Sequence, residues 1–368
     1  MIPMARFLIA FAAFSVLAAD PEHITVWRDE TMYYICPWLS RLPNGDLAVT
    51  VREAHRRRPD QMGHVDPTAR GVMIRSKDGG RTWGGKTVVD DETYRFSQTE
   101  DVPWTPLSNG SLFLNLYAWT ISPYPMGAEP EGTRPYAWSF EGSYGMRSAD
   151  GGKTWSRRKP IRVDKLPRIG SRVPATELPD GELVLPVYGS VRQGEETSAW
   201  LIRSKDKGET WGEVALIGSG PALGARLDEP FVLRKKDGSM IAMIRTGGYL
   251  WQSDSRDNGR TWTTPAATKI WGFPAFLKEL ADGRILCIYG YRRAPFGLRW
   301  STSSDGGRTW DVANEKILRD DGGNGDLGYP SVVDVGGGRL LVVYWMNHQK
   351  EGAPDSDVRY VAGTFFQP

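Results

Sequence analysis

Ser76-Lys77-Asp78-Gly79-Gly80-Arg81-Thr82-Trp83 is the stretch that decides the fold. The same Ser-x-Asp-x-Gly-x-Thr-Trp pattern returns at residues 148–155, 204–211, 255–262 and 303–310. The steps from one Ser to the next are 72, 56, 51 and 48 residues, the period of a stacked or radial repeat. Ser and Asp oxygens can accept hydrogen bonds from backbone N–H groups inside such a turn, and Gly takes the positive φ. Trp then fills the wedge between neighbouring units. One carboxylate per turn falls far short of a calcium site, which needs six to eight oxygens. No metal or cofactor is expected.

A second repeat interleaves with the first. Gly turns flanked by apolar runs occur at Asn44-Gly45, Asn109-Gly110, Asp180-Gly181, Asp237-Gly238, Asp282-Gly283 and Gly336-Gly337-Gly338. Such pairs between β-rich runs mark hairpins. Six hairpins and five Trp turns predict an all-β chain, a six-bladed β-propeller with four-stranded antiparallel blades. The Gly hairpin joins strands A and B of each blade, and the Trp turn joins C and D. The sixth blade lacks its Trp turn. The runs 24–27 and 358–365 are expected to share that blade and close the ring, since open edges are a liability.

Bulk properties narrow the function. The 368 residues carry a formal net charge of +2, which gives no reason to expect nucleic acid or a charged membrane as partner. Arg6, the apolar run 7–17 and the small residues Ala18-Ala19 read as a signal peptide over 1–19. The propeller then occupies 20–368, and the protein is expected to be secreted or periplasmic. No later run is long enough for a membrane span. Cys36 and Cys287, in blades one and five, are expected to be isolated buried thiols.

The face opposite the hairpins gathers polar residues. Asp228-Glu229-Pro230 opens strand A of blade four and Arg245 ends its strand B. Arg292 and Arg293 end strand B of blade five, and Tyr329 opens strand A of blade six. Asp101 and Arg172 open strands A of blades two and three. His55, His64 and Asp66 lie in the blade-one B–C connection. Trp104, Tyr117, Trp119, Trp138 and Trp271 lie near that face, and the insertion 121–142 is a candidate rim.

With these turns and hairpins the chain resembles the sialidase (neuraminidase) superfamily, whose Asp boxes have this pattern. Glu229-Pro230, Asp237-Gly238 and Ile244-Arg245 resemble the segment with the family's catalytic glutamate and second triad arginine. Arg292 or Arg293 resembles the third arginine, and Gly328-Tyr329-Pro330-Ser331 the nucleophile segment. The resemblance implies a secreted exo-glycosidase acting on sialic acid or a related acidic sugar of a glycan or glycoconjugate, expected as a monomer. Tyr329 would be nucleophile, Glu229 its base, and His64 or Asp66 the acid. Arg245, Arg292, Arg293, Arg172 and Asp101 would bind substrate. A neutral Tyr avoids the repulsion a carboxylate nucleophile meets beside a substrate carboxylate, and arginine forks suit carboxylates.

Two departures stand out. The family's Tyr-Arg-Ile-Pro reads Tyr34-Ile35-Cys36-Pro37 here, with Ile35 in place of the first arginine. Trp345 stands where a glutamate pairs with that arginine, so both halves of one ion pair are replaced. The pocket is then expected to suit another acidic sugar, by hydrolysis or by elimination with His64 as base. A non-catalytic glycan- or protein-binding propeller is the remaining reading.

Overall fold

The computed structural model describes residues 20–56, 65–123, 136–350 and 353–368, leaving aside the side chains of 349–350 and 353–357. Six antiparallel sheets follow one another around a ring. Blade one is Met32–Arg41, Leu47–His55, Arg70–Ser76 and Gly84–Asp90, and blade four is Asp228–Arg234, Met240–Arg245, Tyr249–Ser255 and Ala266–Trp271. Blade five is Ala275–Glu279, Ile285–Tyr291, Phe296–Ser303 and Lys316–Gly322. In blades two and three strand A is broken in two: Ser97–Thr99 with Trp104–Pro106, and Ile169–Gly170 with Thr176–Glu177. Asp101 and Arg172 sit inside these breaks, not at strand openings as the sequence suggested. One short α-helix, Gly220–Leu223, and two 3-10 turns, Thr93–Arg95 and Val312–Asn314, depart from the all-β pattern among the described residues. No described helix is long and apolar enough to cross a membrane.

Blade six closes the ring as expected. Its order runs Gly328–Gly336, Arg339–Lys350, Ala353–Phe366 and then the N-terminal Glu22–Trp27. Glu22 pairs with Phe365 and Ile24 with Gly363. Both ends of the described chain are thus held in one sheet.

The core consists of the seams between blades. One apolar cluster joins blades six and one through Leu341, Phe365, Val49 and Val72; another joins blades two and three through Phe113, Leu185 and Trp211. The Trp turns key these seams together. In the first, Asp78 Oδ1 accepts from the N–H of Arg81 (3.0 Å) and Thr82 (2.9 Å), and Ser76 Oγ from Gly80 N–H (2.8 Å). Trp83 Nε1 donates to Gly80 O at 2.9 Å. This leaves the fifth residue of every turn pressed against the preceding blade. A Cβ on Gly80, Gly152, Gly208, Gly259 or Gly307 would lie within 3 Å of Leu341, Met73, Phe113, Leu201 or Ile241 respectively. All five glycines also have positive φ.

Gly307→Ala is therefore expected to destabilise the protein by about 2–4 kcal/mol, from backbone strain and overpacking together. Gly306→Ala supplies the control. That residue shares the positive φ (75°), but an added Cβ would meet nothing closer than the end of Lys235. Urea unfolding of the two should separate strain from the seam contact; equal losses would show that the seam does not need the bare glycine.

Candidate active site

Three inner strands bend in the same way where they meet the ring axis. Strand pairing slips between Ile35 and Trp38, between Asp228 and Phe231, and between Gly328 and Ser331. At each bulge a residue followed by proline takes the left-handed conformation: Cys36 (φ 56°), Glu229 (φ 46°) and Tyr329 (φ 55°). A bulge re-aims a side chain that the pleat would otherwise turn away, and backbone strain of this kind collects at functional sites. Cys36, Glu229 and Tyr329 accordingly line one small central cavity with Arg172, Pro274 and Trp38. The repeated X-Pro dipeptides were the available signal for this geometry, and reading them would have added Cys36 to the site.

Glu229 and Tyr329 meet. The Tyr329 hydroxyl donates to Glu229 Oε1 at 2.8 Å. Arg245 Nη1 lies 3.0 and 2.9 Å from the two Glu229 oxygens and 3.0 Å from the Tyr329 hydroxyl. Arg172 Nε forms an ion pair with Glu229 Oε1 at 2.7 Å. Beyond it, Arg172 Nη1 donates to Asp101 Oδ2 at 2.6 Å and approaches Cys36 Sγ at 3.3 Å, and Nη2 reaches Glu100 Oε1 at 3.5 Å. Glu100 is a member of this network that the sequence reading did not name.

Arg292 lies over the rings of Phe273 (5.2 Å) and Tyr329 (5.8 Å), and its buried Nε has no hydrogen-bond partner in the described structure. Arg293 is exposed and stacks on Trp271 at 3.7 Å. Arg292 rather than Arg293 is therefore the blade-five arginine that faces Tyr329.

Burial alone would raise the Glu229 carboxyl, but Arg245 and Arg172 overturn that and hold it at about 2. Burial, the largest influence on Tyr329, leaves its phenol well above the usual value near 10 even with Arg172 and Arg245 pulling the other way. Asp101 is pushed up by burial and by Glu100, against the pull of Arg172. So strong a phenol–carboxylate mismatch forbids a free proton transfer to Glu229 in the resting site.

The other candidates are placed as follows. Asp66 is fully buried, and its Oδ1 accepts from Thr68 N–H (2.8 Å) and Oγ1 (2.6 Å). His64 lies outside the described residues, as does the middle of the insertion, 124–135. Trp104 is wholly buried in the seam of blades one and two, and Trp119 packs edge-on against Phe140. Ile35 and Trp345 have no exposed surface (0%), and Trp345 stacks on Tyr329 with ring centroids 5.0 Å apart. Trp345 sits in mid-strand opposite Gly328, not at a strand end.

The sequence matches the BNR repeat-like domain over residues 69–343. This chain belongs to that family, within the sialidase superfamily. The BNR repeat-like propeller is 24% identical to a sialidase of Paraclostridium sordellii over 271 residues, 66% of this chain and 61% of that protein. It is 26% identical to a sialidase of Clostridium perfringens over 258 residues, 64% of this chain and 62% of the relative. The chain thus spans about three fifths of these relatives' length. A solved structure of a protein of unknown function from Dyadobacter fermentans superposes with a TM-score of 0.80 at 26% identity, covering 95% of this chain and 99% of that one.

Proposed function

We propose that this BNR repeat-like propeller is an exported retaining exo-glycosidase that removes a terminal acidic sugar from a glycan. The observation that carries the reading is the hydrogen-bonded trio of Tyr329, Glu229 and Arg245. In the first step the Tyr329 oxygen bonds to the anomeric carbon as the glycosidic C–O bond breaks. The phenol proton passes to Glu229, and the leaving oxygen takes a proton from the blade-one B–C connection, on His64 or Asp66. Water then displaces Tyr329 from the glycosyl-enzyme, with the proton transfers reversed. Arg245 and Arg292, the latter without a carboxylate partner among the described residues, would hold the sugar's carboxylate by planar forks.

The buried Ile35 and Trp345 favour an acidic sugar other than simple sialosides. Losing one charge-assisted contact costs about 1.5–3 kcal/mol, roughly ten- to a hundredfold in affinity. The expected outcome is that kcat/KM on an aryl α-sialoside falls at least tenfold below that on the best aryl glycoside of another acidic sugar. Equal or better turnover of the sialoside would overturn the specificity; no turnover of any acidic glycoside would favour a binding propeller.

A further inference from the structure

Arg172 stands at the centre of the site, yet its guanidinium is already taken up. Asp101 and Glu100 from blade two and Glu229 from blade four each meet one of its nitrogens, and only 11% of its side chain is exposed. A substrate carboxylate could reach Arg172 only by displacing one of these three. Its plane also lies 5.3 Å from the Tyr329 ring. On the blade-one and blade-six side, Ile35 and Trp345 present an apolar wall instead of such a clamp among the described residues.

We propose that Arg172 is a positioning residue, which fixes Glu229 against Tyr329 and stabilises the charge that develops on the phenol oxygen, instead of gripping the substrate. This rests on the reading of Tyr329 and Glu229 as nucleophile and base. Glu229 Oε1 accepts from Tyr329 and Arg245 and lies against Arg172 Nε as an ion pair, so groups from three different blades hold it. Arg245 alone touches both carboxylate oxygens through one nitrogen and leaves the group free to swing about that nitrogen. Arg172 removes that freedom and is itself pinned by Asp101. When water displaces Tyr329 from the sugar, negative charge develops on the phenol oxygen as Glu229 returns its proton, and the two guanidiniums beside it are the groups that face that charge.

The charged and titratable groups around Glu229, besides Arg172, are Arg245 on its own blade, Asp101 of blade two, Tyr188 of blade three and Tyr329 of blade six. Around Arg172 they are Asp101, Glu100 and Tyr117 of blade two and Cys36 of blade one. Removing Arg172 takes one of two cations from Glu229, so its carboxyl must rise from about 2. A depressed carboxyl lends stability that is complete above its unfolded value and lost as pH falls toward the folded one. Without Arg172 the contribution is smaller and is exhausted at a higher pH.

The test compares Arg172→Lys and Arg172→Met with the parent enzyme on its best aryl glycoside, across pH. Arg172→Met is expected to lower kcat at least a hundredfold, to change KM less than threefold, and to shift the acid limb of kcat/KM to higher pH. Arg172→Lys keeps the charge and should restore the acid limb while recovering only part of kcat. A rise in KM with kcat and the acid limb unchanged would make Arg172 a substrate ligand and overturn the proposal. Should Arg172→Met fail to fold, Asp101→Asn/Arg172→Met removes one acid together with the cation, and its reference is Asp101→Asn. The Tm gap between those two is expected to narrow as pH is lowered from 7 to 3. A gap independent of pH would overturn the Arg172–Glu229 coupling. That thermal measurement needs no turnover, so it still decides the coupling if every glycoside fails and the catalytic reading falls.

Discussion

Tyr329→Phe is expected to fold like the parent protein and to lose at least about a thousandfold in kcat, the scale seen when a covalent nucleophile is removed. The substitution deletes one oxygen. The ring stays packed on Trp345, and Glu229 keeps Arg245 and Arg172 as partners, so no charge is stranded and unfolding free energy should change by about 1 kcal/mol or less. Binding of the intact glycan should survive, because the arginines that face the sugar are untouched. Single-turnover assays with a fluoride-activated glycoside would show whether a covalent adduct forms. An adduct on the Phe variant, or full hydrolysis, would mean that Tyr329 is not the nucleophile.

The second large effect is on stability. Trp345→Glu places a carboxylate at a position with no exposed surface, in the same apolar cluster as Ile35, and removes the ring that supports Tyr329. A loss of about 3–5 kcal/mol is expected from the stranded charge, with the vacated volume adding to it. Ile35→Arg should cost a similar amount for the same reason. The double variant places a buried pair between the first strand of blade one and the second strand of blade six, which are in contact, and the two losses should then fall short of their sum by more than about 1 kcal/mol. Activity on an aryl sialoside should rise in the double variant alone. Strict additivity in urea unfolding would show that the two positions do not face each other as a pair.

The repeat was legible because it is written in residue types with hard physical requirements. A glycine that must accept positive φ and bare contact, an aspartate that must cap a turn, and a tryptophan that fills a seam leave little freedom. Glu229, Arg245 and Tyr329 were legible for a related reason: each lies within a residue or two of a hairpin or strand end whose place the repeat fixes. Asp101 and Arg172 were found but misplaced, because they sit in breaks of strand A that no turn signal announces. Ile35 and Cys36 show the other difficulty. One bulge moves the inward position by a residue, so the buried Ile35 drew attention while Cys36 reached the cavity. Arg292 and Arg293 were indistinguishable for the same reason, since only the end of strand B at Tyr291 decides which of them turns toward Tyr329.

The way the ring closes sets a timetable for the nascent chain. His23 and Thr364, joined side chain to side chain in blade six, are 341 residues apart in sequence. At roughly 5–20 residues per second, the Glu22–Trp27 strand must wait some tens of seconds for its neighbour to exist. Throughout that interval Glu22–Trp27 has no native partner, and the first blade presents an open flank to whatever is nearby. Five blades can condense in order as they emerge, but the sixth must wait for Ala353–Phe366 and then commits the whole circle at once. A chaperone acting on this protein would therefore have its task concentrated at the two ends, and shielding the leading strand would matter more than assisting any blade.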